Sequence, residues 1–179
     1  EAAMKCGLDV ADNDIVVCVQ GDEPLLGTDT IDAVMAPFTA DPSVEGTMLA
    51  VPIRDEATFK NPDIVKIAHD RIGSWDRNGD VLYTSSAPIP HMKSFSPDGG
   101  AMRVGGIFGF RWHMLRWFTE TEESPLEIAE ACDSNRICDN GRRQRIAPLA
   151  YRPYQSVDSP EDVKLVEAAL ETDPLWGTY

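Results

Sequence analysis

The sequence predicts an α/β protein in which helices flank a mixed sheet. Ile15–Val19 is a run of β-branched and apolar residues, which is typical of a strand buried on both faces. Apolar residues then repeat at helical spacing across Ile31–Phe38, and a second apolar strand, Thr47–Ile53, comes next. A strand, a helix and a strand in this order predict a right-handed parallel crossover.

Length and composition predict one domain that spans residues 1–179. With 42% hydrophobic and 26% charged residues, the composition is that of an ordinary globular protein. The formal net charge of -14 argues against a nucleic-acid partner, because nucleic-acid binding needs clustered lysine and arginine. No apolar run is long enough to span a bilayer, so we expect no membrane partner. An acidic enzyme that handles anions must concentrate its few cations or recruit metal ions.

The start of the chain resembles the end of a helix that is already under way, over residues 1–8. A parallel sheet that begins with a bare strand at Ile15 lacks a neighbouring strand. We therefore expect that an N-terminal portion is missing from this chain.

The cysteines and histidines predict free thiols and no metal centre of their own. The cysteine spacings match no zinc pattern, and Cys18 falls inside a predicted buried strand. Free thiols are typical of a reducing compartment, so we expect a cytoplasmic protein. The histidines are far apart and share no ligand spacing. These residues are Cys6, Cys18, Cys132, Cys138, His69, His91 and His113.

Short helices and strands follow the crossover, and most of their boundaries carry a local signal. Asn61-Pro62 stops a helix, Pro125 stands at a first helical position, and Asn140-Gly141 ends a helix. A polar, glycine-containing segment indicates a hairpin connection. The predicted elements are a helix at Asp55–Lys60, a strand at Asp63–Ala68, the hairpin connection Arg71–Gly79, strands at Val81–Ser86 and Arg103–Arg111, a helix at Trp112–Thr119, a helix opened by Ser124, a strand at Gln144–Ala150 and a last helix that ends near Leu170.

The first strand stops abruptly at Gly21 and is followed by two carboxylates, Asp22 and Glu23. In open α/β sheets, ligands bind just past the carboxyl ends of strands. Pro24 lacks an N–H and stiffens the exit of this turn. Carboxylates held in this way suit a divalent cation, which prefers hard oxygen ligands. On spacing alone, ordinary polar loop residues remain an equal interpretation.

The stretch Val-Gln-Gly-Asp-Glu-Pro, at Val19–Pro24, resembles the signature of the CMP-Kdo synthetases (3-deoxy-manno-octulosonate cytidylyltransferases). Further segments resemble motifs of the same family in the same order. They are Asn61–Lys66, Leu82–Pro90, Val104–Arg111, Ser124–Glu127 and Val157–Val163. The resemblance implies a nucleotide-diphospho-sugar transferase (Rossmann-like) fold, of which this chain is the larger, C-terminal part. Enzymes of this fold that transfer UMP or GMP lack the last two motifs.

The resemblance implies a cytidylyltransferase of lipopolysaccharide biosynthesis, which transfers CMP from CTP to a 2-keto-3-deoxy sugar acid such as Kdo and releases pyrophosphate. It implies Mg²⁺ as cofactor, held by Asp22 and Asp158 as catalytic metal ligands, with Gln20 contacting nucleotide and acceptor. Glu23 is expected to contact the metal ligands rather than the metal itself. From the sequence, Asp158 also suits a helix cap paired with Glu161, and that role alone remains an alternative. The family tends to dimerise, so we expect a homodimer.

The positions that contact the sugar in the family differ in this chain. Ser86 replaces an arginine, Val104 replaces a histidine and Phe108 replaces a tyrosine, while Asp133 and Ser134 stand where the family has Glu-Gln. A different acceptor, such as a phosphonate acid or another sugar acid, therefore stays open. The family's N-terminal nucleotide loop, a Gly/Ser-x-Arg-Leu-x-x-Lys-like segment, is absent from these residues. We expect weak CTP binding by the chain alone, and a non-catalytic binding protein is a further alternative.

Three further charged residues have two interpretations each. Glu127 and Glu130 lie three residues apart on one helical face and point either at the substrate or into solvent. Lys66 either offsets phosphate charge or is a solvated strand lysine. Arg136 keeps an arginine of the family.

Overall fold

The structure, a computed structural model, describes residues 5, 7, 9–71, 79–151, 157, 160–173 and 176–178. The strands are β1 (Ile15–Val19), β2 (Gly46–Pro52), β3 (Lys66–His69), β4 (Val81–Ser85), β5 (Met102–Arg111) and β6 (Arg145–Pro148). The helices are α1 (Thr28–Ala40), α2 (Glu56–Lys60), α3 (Trp112–Glu120), α4 (Pro125–Glu130), α5 (Asn135–Asp139) and α6 (Pro160–Leu170). The predicted α/β class is confirmed.

One mixed sheet contains the six strands in the order β4-β3-β5-β2-β6, and β1 also pairs with β5. β2 and β6 are parallel, and the other pairs are antiparallel. Because β1 and β2 are both antiparallel to β5, they run in the same direction, as the crossover predicts. β5 lies between them, so the two strands of the crossover are not neighbours.

β5 holds the sheet together and leaves an opening along one edge. β2 follows one edge, while β1 pairs with Ile107–Arg111 and β3 with Met102–Arg103 on the other. The registers with β1 and β3 leave out the intervening residues Val104–Gly106, although the N–H of Val104 still donates a 2.9 Å hydrogen bond to the carbonyl of Val65, just before β3. The register with β2 also shifts here, between Met48 and Ala50. At such a break in strand pairing, side chains from several elements can meet at the edge of β5.

Each face of the sheet contributes to the core. On one face, Val34 of α1 packs with Leu49 and Ile107. On the other, Met48 packs with Ile67 and other buried residues. Alternate residues of β2 thus serve opposite faces, as the strand geometry requires. α3 and α5 complete the second face through Met114 and Ile137, which pack against Phe110.

β1 is less buried than its apolar sequence predicts. Ile15, Val16 and Val17 are half-buried, Cys18 is exposed and Val19 is 51% exposed. Within the described part of the chain, β1 pairs only with β5, and its second edge has no strand. Because Cys18 and Val19 are exposed, the expectation that both faces of β1 are buried is wrong for the described residues.

Three of the four cysteines lie in the described residues. Cys18, Cys132 and Cys138 are free thiols, and Cys6 lies outside the described residues. In the described ranges, no helix combines the length and the apolar character needed to cross a membrane. β3 and β4 form the predicted antiparallel pair, while residues 72–78 of their connection are not described.

Candidate functional site

A cavity of about 380 Å³ lies at the opening in the sheet edge. Its walls come from the turn after β1, the segment before β3, the middle of β5 and the turn between α4 and α5. The lining residues are Gln20, Asp22, Glu23, Asp63, Ile64, Val65, Arg103, Val104, Gly106, Phe108, Ala131, Cys132, Asp133 and Ser134. The structure therefore brings together six residues that the sequence predicts for the site: Gln20, Asp22, Val104, Phe108, Asp133 and Ser134.

The side chains of Gln20 and Glu23 lie directly over the backbone of Gly106. A Cβ atom added to Gly106 would stand 2.7 Å from Oε1 of Glu23 and 3.0 Å from Oε1 of Gln20. Gly106 has a φ of 73°, a value that favours glycine. Glu23 is only 9% exposed and lines the cavity itself, rather than standing behind it as expected. A glycine pair inside a strand is the sequence signal that indicates this close approach.

Asp22 is joined to a distant part of the chain through its backbone. The N–H of Val157 donates a 2.9 Å hydrogen bond to the carbonyl oxygen of Asp22. Asp158, the next residue in sequence, lies outside the described residues. Its two interpretations, as metal ligand and as helix cap alone, both stay predictions.

The cavity offers carboxylate oxygens from Asp22, Glu23, Asp63 and Asp133. Over the described ranges, no three His, Cys, Asp or Glu side chains cluster closely enough to hold a metal by themselves. Mg²⁺ is usually bound by one or two carboxylates together with substrate phosphates and water. The oxygen donors present fit such a shared magnesium site better than a closed protein cage.

α5 is fixed to β4 by the side chain of Asn135, which imitates a neighbouring strand. Its Oδ1 accepts from the N–H of Thr84 at 2.8 Å, and its Nδ2 donates to the carbonyl of Thr84 at 2.9 Å. The hydroxyls of Thr84 and Ser134 are 2.9 Å apart. These bonds hold Asp133 and Ser134 at the cavity. No pattern in the sequence singles out Asn135 for this role.

Glu127 is part of the scaffold and does not reach the cavity. It closes a capping box with Ser124 at the start of α4. Arg136 donates to both of its carboxylate oxygens, at 2.8 and 2.5 Å, and these bonds lower the pKa of Glu127. Glu127 is 7% exposed, so the solvated alternative is wrong, and its substrate role has no support in the structure. Arg136 also bonds backbone carbonyls and does not line the cavity.

Glu130 and Ser86, two other predicted substrate contacts, also lie outside the cavity lining. Oε2 of Glu130 accepts a 2.6 Å hydrogen bond from the hydroxyl of Ser85. The carbonyl of Ser86 accepts a hydrogen bond from Lys66. Both residues therefore support the walls of the site from behind.

Lys66 fits neither interpretation from the sequence. Its side chain has no solvent exposure, and Nζ donates to the carbonyls of Asn61, Ile64 and Ser86. Burial lowers the pKa of Lys66, while the negative charges of Asp63 and Cys132 raise it. The ammonium is directed to the backbone rather than to solvent or to a phosphate in the cavity.

Two residues in the cavity lining were not predicted from the sequence. Arg103 is the cationic residue among the described lining residues, where four carboxylates are present. Cys132 also lines the cavity, and burial raises the pKa of its thiol. A lone arginine in a strand and a lone cysteine in a turn carry no spacing signal that distinguishes them.

Comparisons with known proteins agree with the motifs. A family model described as Cytidylyltransferase matches residues 1–146. Among similar curated proteins is the 3-deoxy-manno-octulosonate cytidylyltransferase of Nitratidesulfovibrio vulgaris (strain DP4), 39% identical over 169 residues, with 93% of this chain and 63% of the relative covered. The protein of the same name from Syntrophotalea carbinolica is 35% identical over 167 residues, with 89% and 64% covered. This chain therefore spans a little under two thirds of the length of these relatives.

A solved structure described as CMP:2-keto-3-deoxy-manno-octonic acid synthetase complexed with CTP has the same fold. The TM-score is 0.75 at 24% sequence identity, and the match covers 88% of this chain and 62% of that one. The predicted fold is thereby confirmed. The family model and the curated relatives confirm the resemblance to the CMP-Kdo synthetases that the motifs indicate. The chain belongs to the cytidylyltransferase family.

Proposed function

We propose that the intact protein transfers CMP from CTP to an acidic sugar, most favourably the 2-keto-3-deoxy sugar acid Kdo, and releases pyrophosphate. The observation that carries this proposal is the cavity, where the Gln-Gly-Asp-Glu turn at residues 20–23 meets β5 and the α4–α5 turn. Family membership and the names of the curated relatives support the same reaction. The free thiols support a cytoplasmic location.

The proposal includes a magnesium ion held by Asp22 and Asp158. The hydrogen bond from Val157 to Asp22 supports it, since the residue before Asp158 lies beside the acidic turn. When bound, Mg²⁺ would neutralise phosphate charge and orient the α-phosphate.

The chemistry is an in-line displacement at phosphorus. The acceptor hydroxyl oxygen forms a bond to the α-phosphorus, the bond to the bridging α–β oxygen breaks, and pyrophosphate leaves with that electron pair. The hydroxyl proton passes to solvent. Catalysis of such a step depends on positioning and on compensating negative charge, because little covalent chemistry falls to the protein.

The lining residues divide these tasks. Gln20 donates and accepts hydrogen bonds to nucleotide and acceptor, and Arg103 compensates anionic charge. Asp133 and Ser134 bind acceptor hydroxyls. Phe108 forms an apolar wall that keeps water away from the acceptor.

A second candidate is CMP transfer to a different acid, such as a phosphonate acid or another sugar acid. The apolar side chains of Val104 and Phe108 favour it, because they line the cavity and offer no hydrogen bonds to sugar hydroxyls.

The test uses the intact protein with CTP, Mg²⁺ and a panel that contains Kdo, related 2-keto sugar acids and phosphonates. Pyrophosphate release measures turnover, and ³¹P NMR identifies the CMP ester. Fastest turnover of Kdo supports the first proposal, and fastest turnover of another acid supports the second. Absence of turnover with every acid, together with retained ligand binding, would favour a non-catalytic binding protein. Light scattering tests the proposed homodimer.

A further inference from the structure

Lys66 is a fully buried cation at the start of β3, immediately behind one wall of the cavity. Its Nζ lies 2.7 Å from the carbonyl oxygen of Asn61, 2.6 Å from that of Ile64 and 2.5 Å from that of Ser86. A lysine ammonium has three N–H donors and no acceptor. The three carbonyls therefore use every donor of the charged form, whereas a neutral amine has only two N–H donors and could keep at most two of these three bonds.

The three carbonyls belong to two separate parts of the site. One wall of the cavity is the segment Asp63–Val65, which contains Ile64. Asn61 lies just before this segment. Ser86 directly follows β4, whose Thr84 holds α5 on the opposite side of the cavity. Lys66 thus ties one wall of the cavity to the strand that positions the other.

The charge of Lys66 is not neutralised by direct contact. In the described part of the chain, no carboxylate lies within ion-pair distance of its Nζ. A positive charge therefore stays behind the wall of a cavity that has several carboxylates. Hydrogen bonds from a charged donor are stronger than those from a neutral one, so these bonds hold the backbone firmly.

We propose that Lys66 is a positioning residue for the acceptor, which acts by fixing the segment Asn61–Val65 against the end of β4. This inference rests on the proposed function for its kinetic consequence. Removal of the ammonium breaks three hydrogen bonds, two to the segment Asn61–Val65 and one to Ser86, and lets the wall move away from the acceptor. A displacement of about 1 Å is enough to change turnover by one to two orders of magnitude.

The test compares Lys66→Met and Lys66→Arg with a matched control, Lys60→Met, in the intact protein. Lys60 is exposed and pairs with Glu56 on the surface of α2. We expect Lys66→Met to raise the KM for the acceptor by about 10-fold or more and to leave the KM for CTP within about twofold. Lys66→Arg keeps the charge but not the three-donor geometry. Its acceptor KM is therefore expected to lie between those of the wild-type protein and Lys66→Met. Lys60→Met leaves both constants unchanged.

Hydrogen exchange of backbone amides gives a second readout that does not need turnover. Exchange at Asp63 and Ile64 is expected to accelerate in Lys66→Met, while exchange in β2 stays at its wild-type rate. If Lys66→Met fails to fold, Lys66→Arg is measured in the same way. It must then show both a raised acceptor KM and faster exchange at Asp63 and Ile64.

Three outcomes would overturn the positioning role. They are an acceptor KM and a kcat that both stay at their wild-type values, equal rises in the KM values for acceptor and CTP, and unchanged exchange at Asp63 and Ile64 in a folded variant. If the wild-type protein shows no turnover, the proposed function fails, and the exchange measurement still decides whether Lys66 fixes this wall.

Discussion

The backbone N–H of Val157 donates a 2.9 Å hydrogen bond to the carbonyl oxygen of Asp22, which joins the acidic turn after β1 to the segment that precedes α6. These two residues stand near opposite ends of the chain. The bond supports the proposal that two distant aspartates, Asp22 and Asp158, serve one magnesium ion. The predictions below test the cavity around that turn and the scaffold that holds it.

Gly106→Ala is expected to disrupt the acidic turn. The new Cβ would stand 2.7 Å from Oε1 of Glu23, and the φ of 73° is strained for alanine. We expect a loss of about 1–3 kcal/mol in the free energy of unfolding. Displacement of Glu23 and Gln20 is expected to lower kcat/KM by about 10-fold or more. Urea denaturation and pyrophosphate release measure the two effects.

Gly141→Ala separates strain from contact. Gly141 has a φ of 69°, but nothing lies within 4 Å of an added Cβ. This variant is expected to lose about 1 kcal/mol of stability and to keep its activity. Equal activity losses in both variants would show that contact with Glu23 is unimportant.

Arg136→Met is expected to destabilise the fold by about 3 kcal/mol or more, because it leaves the buried carboxylate of Glu127 without its charged partner. Both partners are largely buried, with 14% and 9% of their side chains exposed. Glu56→Gln is the matched control, since its pair with Lys60 is exposed and contributes less than about 1 kcal/mol. Urea denaturation at pH 7 measures both changes.

The same pair predicts how stability depends on pH. Hydrogen bonds from Arg136 lower the pKa of Glu127 in the folded state. The pair therefore stabilises the fold above the carboxyl pKa of the unfolded chain, about 4, and this stabilisation disappears as pH falls through the lower folded pKa. Wild-type protein is expected to lose more stability than Arg136→Met between pH 5 and pH 2. If the free energy of unfolding depends on pH in the same way in the two proteins, the stabilising role of the Arg136–Glu127 pair is contradicted.

Asn135→Leu is expected to loosen the α4–α5 wall. The substitution leaves the N–H and carbonyl of Thr84 without their buried partners, which costs about 1–3 kcal/mol of stability. Because Asp133 and Ser134 precede Asn135, the KM for the acceptor should rise while the KM for CTP changes little. Asn140→Leu, at an exposed position at the end of α5, serves as control and should leave both KM values unchanged.

The sequence was informative wherever spacing or a motif determines local structure. The apolar period of α1 and the proline at the start of α4 each predicted a feature that the structure contains. The structure brings the acidic turn and the altered positions Val104, Phe108, Asp133 and Ser134 together around one cavity. Motifs of the family contain these positions, and their roles in binding stay predictions.

The failures concern partners that spacing does not specify. Helical spacing assigned Glu127 to a face but did not show that Arg136 covers that face. Lys66 follows a family motif, yet its three partners are backbone carbonyls from two segments, which no residue pattern records. Burial of β1 was overestimated because the apolar residues of a strand do not show how much of each face other elements cover.

The most direct test of the central claim is Mg²⁺-dependent pyrophosphate release by Asp22→Asn and Asp158→Asn in the intact protein, with Asp32→Asn on the exposed face of α1 as control. If both carboxylates hold the metal, each of the first two variants should lose about 100-fold or more in kcat, and the control should match wild type. Near-wild-type turnover by Asp22→Asn, with the same dependence on Mg²⁺ concentration, would contradict the claim.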